Sequence, residues 1–149
     1  MTKRVYLAAG WFNPTQVEEL SRLESICDKR EWIDLASPRR IFVCPPSASK
    51  DVQNATFQGN LDHIETADFL IVNTRDKDIG TIWEAGYAYA KNVPIIYFCQ
   101  GLPMGAKFNL MLARSGVKVC TSFEMLEDYL DRCHQTDNLL LEPYDEEIE

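Results

Sequence analysis

Five short apolar runs of four to seven residues recur along this chain, and segments of helical character fill the gaps between them. Runs of that length are too short for free-standing helices. Those that do not alternate with polar residues read as strands covered on both faces. Val5–Ala9 ends at Gly10, and Ile41–Cys44 is stopped by Pro45-Pro46. Asp68–Asn73 leads into a charged turn, Thr74–Gly80; Val93–Cys99 is entered through Pro94; Val117–Cys120 is the last. From Pro14 to about Arg30, a helical stripe carries Val17, Leu20, Leu23 and Ile26/Cys27. Pro14 lies in its first turn, where a missing N–H costs nothing. Gly59–Ala67 places Leu61, Ile64 and Ala67 inward, and Thr81–Lys91 and Asn109–Arg114 continue the series. Ser122–Cys133 closes it, capped by Ser122 with Glu124 in its first turn. Ser47–Gln58 shows no clear period, and Gly101–Lys107 reads as a loop.

Strand–helix alternation of this kind predicts an α/β fold. The expected architecture is a flavodoxin-like, doubly wound, five-stranded parallel sheet with helices on both faces, in one domain spanning residues 1–149. With 46% hydrophobic residues, such a domain buries roughly 70% of its unfolded surface. Sheets of this type bind ligands beyond the carboxyl ends of the strands. The segments to search are therefore Ala8–Pro14, Pro45–Gln58, Asn73–Glu84 and Gln100–Met111.

Charge narrows the choice of partner. The net charge is −8, and residues 124–149 alone carry ten acidic groups against one basic. The rest of the chain is near neutral, so no basic surface is available for nucleic acid. The acidic end, about 137–149, reads as a solvated tail. No apolar run approaches the ~20 residues of a membrane helix, which leads us to expect a cytoplasmic protein with no membrane association. The five cysteines are odd in number, widely spaced and without a CxxC pair. Reduced thiols fit that pattern better than a disulfide framework or a zinc site.

The segment richest in chemistry is Asp76–Ala88, which leaves a central strand, turns at Gly80 and enters a helix. Asp78 and Glu84 stand six residues apart across that turn. Thr81-x-x-Glu84 matches a capping box, which would make Glu84 a structural residue. Against that, this helix starts at the ligand-binding edge, and Ala85, Gly86, Ala88 and Ala90 let it approach the sheet closely. A carboxylate near a helix N-terminus stays ionised, as a nucleophile should. Neither GxGxxG nor GxxxxGK[ST] follows the first strand, which disfavours dinucleotides and P-loop nucleotides. Trp11-Phe12 stands there instead, either as core or as a wall for a flat ring. His63 and His134 have no triad partners nearby.

Three blocks resemble the nucleoside 2-deoxyribosyltransferases over most of residues 5–120. They are Tyr6-Leu7-Ala8-Ala9-Gly10-Trp11-Phe12 with Gln16 following, then Asp78–Ala88 as a D-x-G-x-x-x-E-x-G-Y-A block, then Asn109-Leu110-Met111. The first block is closest to the form accepting both purine and pyrimidine 2′-deoxynucleosides. The resemblance implies that Glu84 attacks C1′ and forms a covalent deoxyribosyl–enzyme, with Tyr6 holding the glutamate. It implies that Asp78 binds a sugar hydroxyl and that Asp68 manages the proton of the base. Gly10, Trp11 and Phe12 would shape the base pocket. Asn109 and Met111 would enter from a neighbouring subunit of a dimer-based homo-oligomer, a hexamer by resemblance. The expected partners are 2′-deoxynucleosides and free nucleobases, with no cofactor and no metal. Leu139–Leu141, Pro143 and Tyr144 would dock near a neighbouring site. The base-recognising residue is not evident in Pro45–Lys50. Two other readings stay open. One is a hydrolase of 2′-deoxynucleoside 5′-monophosphates, for which Ser47, Ser49 and Lys50 would have to serve the phosphate. The other is a non-catalytic nucleoside- or flavin-binding module.

Overall fold

The computed structural model describes residues 1–103 and 105–149. Its strands are β1 (Lys3–Ala8), β2 (Ile33–Ala36), β3 (Phe69–Asn73), β4 (Ile95–Phe98) and β5 (Lys118–Cys120). They form one sheet in the order β2-β1-β3-β4-β5 with every pairing parallel. The helices are α1 (Pro14–Asp28), α2 (Pro38–Ile41), α3 (Lys50–Glu65), α4 (Ile79–Ala90), α5 (Leu110–Ser115) and α6 (Phe123–Thr136). The expected flavodoxin-like architecture is therefore present. The strand order reverses between β1 and β3, which puts the crevice for a ligand beyond Ala8 and Asn73.

Alternation along the strands divides the core into two layers. Val5, Leu7, Phe69 and Ile71 face Leu20, Leu23, Ile26, Leu126 and Leu130 of α1 and α6. Tyr6, Ala8, Leu70 and Val72 face the other way, toward Ala85 and Ala88 of α4, Ile64 of α3 and Ala113 of α5. That parity decides where Tyr6 can reach.

Two elements lie elsewhere than expected. The second strand is Ile33–Ala36, not Ile41–Cys44; Ile41 instead ends α2, whose first residue is Pro38. Being an edge strand, β2 keeps solvent on one side and only half-buries its residues, so its apolar run is short and broken by Asp34. The third helix begins at Lys50 rather than Gly59, with the Ser49 hydroxyl accepting from Val52 N–H at 3.3 Å. Only Ile64 of this helix is buried, so most of its length shows no apolar stripe. Beyond α6 the acidic end does not trail away. Phe108 and Ile148 form a parallel bridge, Tyr144 Oη donates to Ala106 O at 2.7 Å, and Glu142 pairs with Lys118 and Arg132.

Candidate active site

Helix α4 begins where β3 and a single 3-10 turn, Arg75–Lys77, deliver the chain to the carboxyl edge of the sheet. Asp78, not Thr81, is its N-cap: Asp78 Oδ2 accepts from Thr81 N–H at 3.0 Å and from the Thr81 hydroxyl at 2.7 Å. The helix thus starts three residues earlier than a Thr81 cap would require, and Glu84 lies beyond the first turn. Glu84 caps nothing. It shares the spacing i, i+3, i+4, i+7 with Thr81, Ala85 and Ala88, the stripe that α4 turns to the sheet. A carboxyl in a place suited to an apolar residue meets the Tyr6 hydroxyl, which donates to Glu84 Oε2.

The environment sets the acidity of this pair. Burial pushes the Glu84 carboxyl up to about 7; the Tyr6 hydrogen bond opposes the rise and the Asp78 charge adds to it. Burial, with the adjacent Glu84 charge, likewise raises the Tyr6 phenol, keeping it a donor. A macrodipole at a helix start would have kept the glutamate ionised, as its sequence position suggests. Depth along the helix and desolvation override that effect, which acts over the first turn alone.

Glu84 opens on a cleft of about 430 Å³ that it lines with Phe57, Asn60, Leu61, Gly80 and Trp83. Phe57 and Trp83 lie with ring centroids 5.8 Å apart, and Trp83 stacks on Tyr87 at 5.6 Å. Asn60 Oδ1 is buried there with no hydrogen-bond partner among the described residues. Such an atom costs stability unless something in the cleft supplies a donor. Asn60 falls within the helix expected over Gly59–Ala67, but starting that helix nine residues late left out Phe57, the aromatic that begins its stripe. Once the helix is extended back to Lys50, the spacing of Phe57, Asn60, Leu61 and Ile64 marks Asn60 as the polar member of an inward stripe.

Not all the expected residues come together. Gly10 does: a Cβ at that position would lie 3.1 Å from Asp78 Cγ. Trp11 and Phe12 follow on the same loop, stacked with centroids 6.2 Å apart. They are exposed, so they are not core. Asp68 lies elsewhere. It precedes β3, at the amino edge of a parallel sheet, is exposed, and accepts from Arg4 N–H at 2.7 Å. A residue that starts a strand cannot also reach the site beyond the strand's end. Asn109 caps α5, its Oδ1 accepting from Met111 N–H at 3.0 Å and Leu112 N–H at 3.2 Å. With Met111, Ile79 and Phe108 it lines a separate, mainly apolar cavity of about 500 Å³. Within one chain, Asn109 and Met111 thus belong to a different cavity from Glu84.

The model of the nucleoside 2-deoxyribosyltransferase family matches residues 5–139. This chain belongs to that family. Among solved structures, a 2-deoxyribosyltransferase from Bacillus psychrosaccharolyticus is 28% identical, with a TM-score of 0.79 over 95% of this chain and 99% of its own. A 2-desoxiribosyltransferase from Leishmania mexicana, 23% identical with a TM-score of 0.60, covers 89% of this chain and 99% of its own. A CMP N-glycosidase from Clostridium botulinum, 15% identical with a TM-score of 0.59, covers 87% and 99%. The last two share the fold. No curated protein sequence matches the chain closely enough to count as a relative. For a member of the nucleoside 2-deoxyribosyltransferase family, the pairing of a half-buried glutamate with a buried tyrosine beside an aromatic-walled cleft is the feature that bears on chemistry. Among the described residues, no helix is long and apolar enough to cross a membrane.

Proposed function

We propose that this protein transfers the 2-deoxyribosyl group between nucleobases of 2′-deoxynucleosides, through a covalent intermediate on Glu84. The observation that carries this reading is the Glu84 carboxyl, set on the inner stripe of α4, held by Tyr6 and open to a cleft walled by Phe57 and Trp83. In the first displacement a Glu84 oxygen attacks C1′ as the bond to the base nitrogen breaks. In the second, a nitrogen of the incoming base displaces the glutamate. Both pass through oxocarbenium character at C1′, which a nearby carboxylate stabilises. The departing base gains one proton and the incoming base releases one.

Tyr6 fixes the rotamer of Glu84 by its hydrogen bond. Asp78 commits Oδ2 to Thr81, which leaves Oδ1 for a sugar hydroxyl. The unpartnered Asn60 Oδ1 suits the edge of the base, the place assigned by resemblance to Asp68. An amide does not titrate, so the proton exchanged by the base would pass through solvent. Asn109 and Met111 reach a Glu84 cleft only in a second copy of the chain. The exposed apolar residues Ile79, Trp83 and Met111 support assembly into dimers, and by resemblance into a hexamer.

The test is incubation with deoxyinosine and adenine, followed by chromatography, with the mass of the active species measured alongside. Deoxyadenosine and hypoxanthine should form together, from an assembly larger than one chain. Glu84→Ala should lose about ten-thousandfold or more in turnover. Hypoxanthine without deoxyadenosine would mean hydrolysis, and no turnover would leave a binding module. A fully active monomer would rule out a shared site.

A further inference from the structure

Among the described residues Gln16 makes no hydrogen bond to Glu84, yet it is only 3% exposed. It lies in the first turn of α1, and both ends of its amide are occupied. Gln16 Oε1 accepts from Phe12 N–H at 2.8 Å, and Nε2 donates to Asp76 Oδ2 at 3.2 Å. Asn13 reinforces the link, donating through Nδ2 to the same Asp76 oxygen at 2.8 Å and accepting from Gln16 N–H at 2.9 Å. One amide therefore ties the loop after β1 to the turn after β3.

That turn needs holding. Asp76 (φ 60°) and Lys77 (φ 52°) are consecutive non-glycine residues in the left-handed region, immediately before Asp78. Each such residue costs on the order of 1–3 kcal/mol and persists only where its surroundings over-determine it. Gly10 closes the cluster from the other side. A Cβ there would lie 3.0 Å from Gln16 Oε1, tighter than ordinary van der Waals contact.

We propose that Gln16 is a positioning residue: it locks the Gly10–Phe12 loop to the Asp76–Asp78 turn, so that the base-side and sugar-side contacts to a nucleoside keep a fixed separation. This inference rests on the proposed function, because the lock matters to catalysis only if those two segments grip the substrate. Without Gln16, the Phe12 amide loses its acceptor and Asp76 loses one of two donors. The strained pair is then free to relax and carry Asp78 with it. A displacement of about 1 Å at a substrate contact can cost on the order of a hundredfold in rate.

The experiment compares Gln16→Leu, Asp76→Gly, Asp76→Asn and the Gln16→Leu/Asp76→Gly double variant in transfer from deoxyinosine to adenine. The share of deoxyribose lost to water is recorded alongside kcat and KM. Asp76→Gly keeps the left-handed backbone but removes the acceptor; Asp76→Asn keeps both. We expect kcat/KM to fall by about a hundredfold in Gln16→Leu and Asp76→Gly, with a larger hydrolysed share. Asp76→Asn should stay within about threefold of the parent, and the double variant should lose no more than the worse single one, since both cut the same link. Parental kinetics in Gln16→Leu, additive losses in the double variant, or an Asp76→Asn as impaired as Asp76→Gly would each overturn the inference. If Gln16→Leu fails to fold, the contrast between the two Asp76 variants decides. A parent protein that turns nothing over would instead overturn the function beneath it.

Discussion

The Glu84 carboxyl feels opposing demands from folding and from chemistry. Its ordinary value is 4.5, and in the folded protein burial and the Asp78 charge push it up to about 7. Between those two values the folded protein holds a proton that the unfolded chain has released. Stability contributed by this group is therefore fully present below pH 4.5 and is lost as pH rises through 7. In the proposed mechanism catalysis runs the other way, because Glu84 must be ionised to act as a nucleophile. We predict that kcat/KM climbs with pH through about 7, read from a pH–rate profile of the free enzyme. We also predict that Glu84→Gln, which keeps an acceptor for Tyr6, unfolds later than the parent above pH 7 and equally at pH 4.5. The gain should be on the order of 1–3 kcal/mol by denaturant titration. Equal stability of the two proteins at pH 8 would show that the buried charge carries no such cost.

At the scale of the element, α4 carries two duties on one residue. Asp78 caps the helix and raises Glu84 through its charge. Asp78→Asn should keep the cap, lower kcat/KM and move the acid limb of the pH–rate profile to lower pH. Asp78→Ala should in addition destabilise the protein by about 0.5–2 kcal/mol. An unmoved acid limb in Asp78→Asn would remove Asp78 as a cause of the Glu84 shift. The same element shows how far sequence reasoning reaches. β1, β3 and β4 are covered on both faces, so their apolar runs are continuous and stand out. β2 lies at an edge and α3 is largely exposed, so burial writes little of either into the sequence. That Glu84, Tyr6, Asp78 and Gly10 lie together was legible because they sit on or beside the apolar strands and the motif that follows β3. Asn60 lay inside the expected helix Gly59–Ala67, but without Phe57 beside it nothing marked it as facing a cleft. The role of Asp68 came from the resemblance alone, although its place at the head of the Asp68–Asn73 run already set it at the opposite end of β3 from Asp78 and Glu84. Thr81 and Glu84 imitate a capping box by spacing alone, while the true cap lies one turn earlier.

Across the whole molecule, the residues around Glu84 gather on a single layer of the sheet, with Tyr6, Ala85 and Ala88 in its core. The last part of the acidic end reaches that layer too, while Leu139 and Leu140 pack on the opposite one. Tyr144 and Ile148 pack against the layer of Tyr6, and Phe108 exchanges hydrogen bonds with the backbone of Glu147 and Glu149 at 3.0 and 2.9 Å. Its charge is partly answered at Glu142, where Arg132 and Lys118 hold the carboxyl down at about 2. That contribution is present above the ordinary value of 4.5 and fades as pH falls toward 2. The expectation of a free, solvated tail fails because its few apolar residues outweigh the repulsion among its acids. Glu142 also donates its N–H to Val117 O at 2.9 Å and bridges Lys118, along the outer side of β5. A terminal strand with bare amides and carbonyls is a template for another chain. Deleting residues 142–149 should therefore yield a protein whose light scattering grows with time on gentle warming while the parent stays clear. A truncated protein as clear as the parent would deny the segment this part. In that light, Glu142, at the head of the acidic end, is a stopper on the sheet: it occupies the edge on which one molecule would continue into the next.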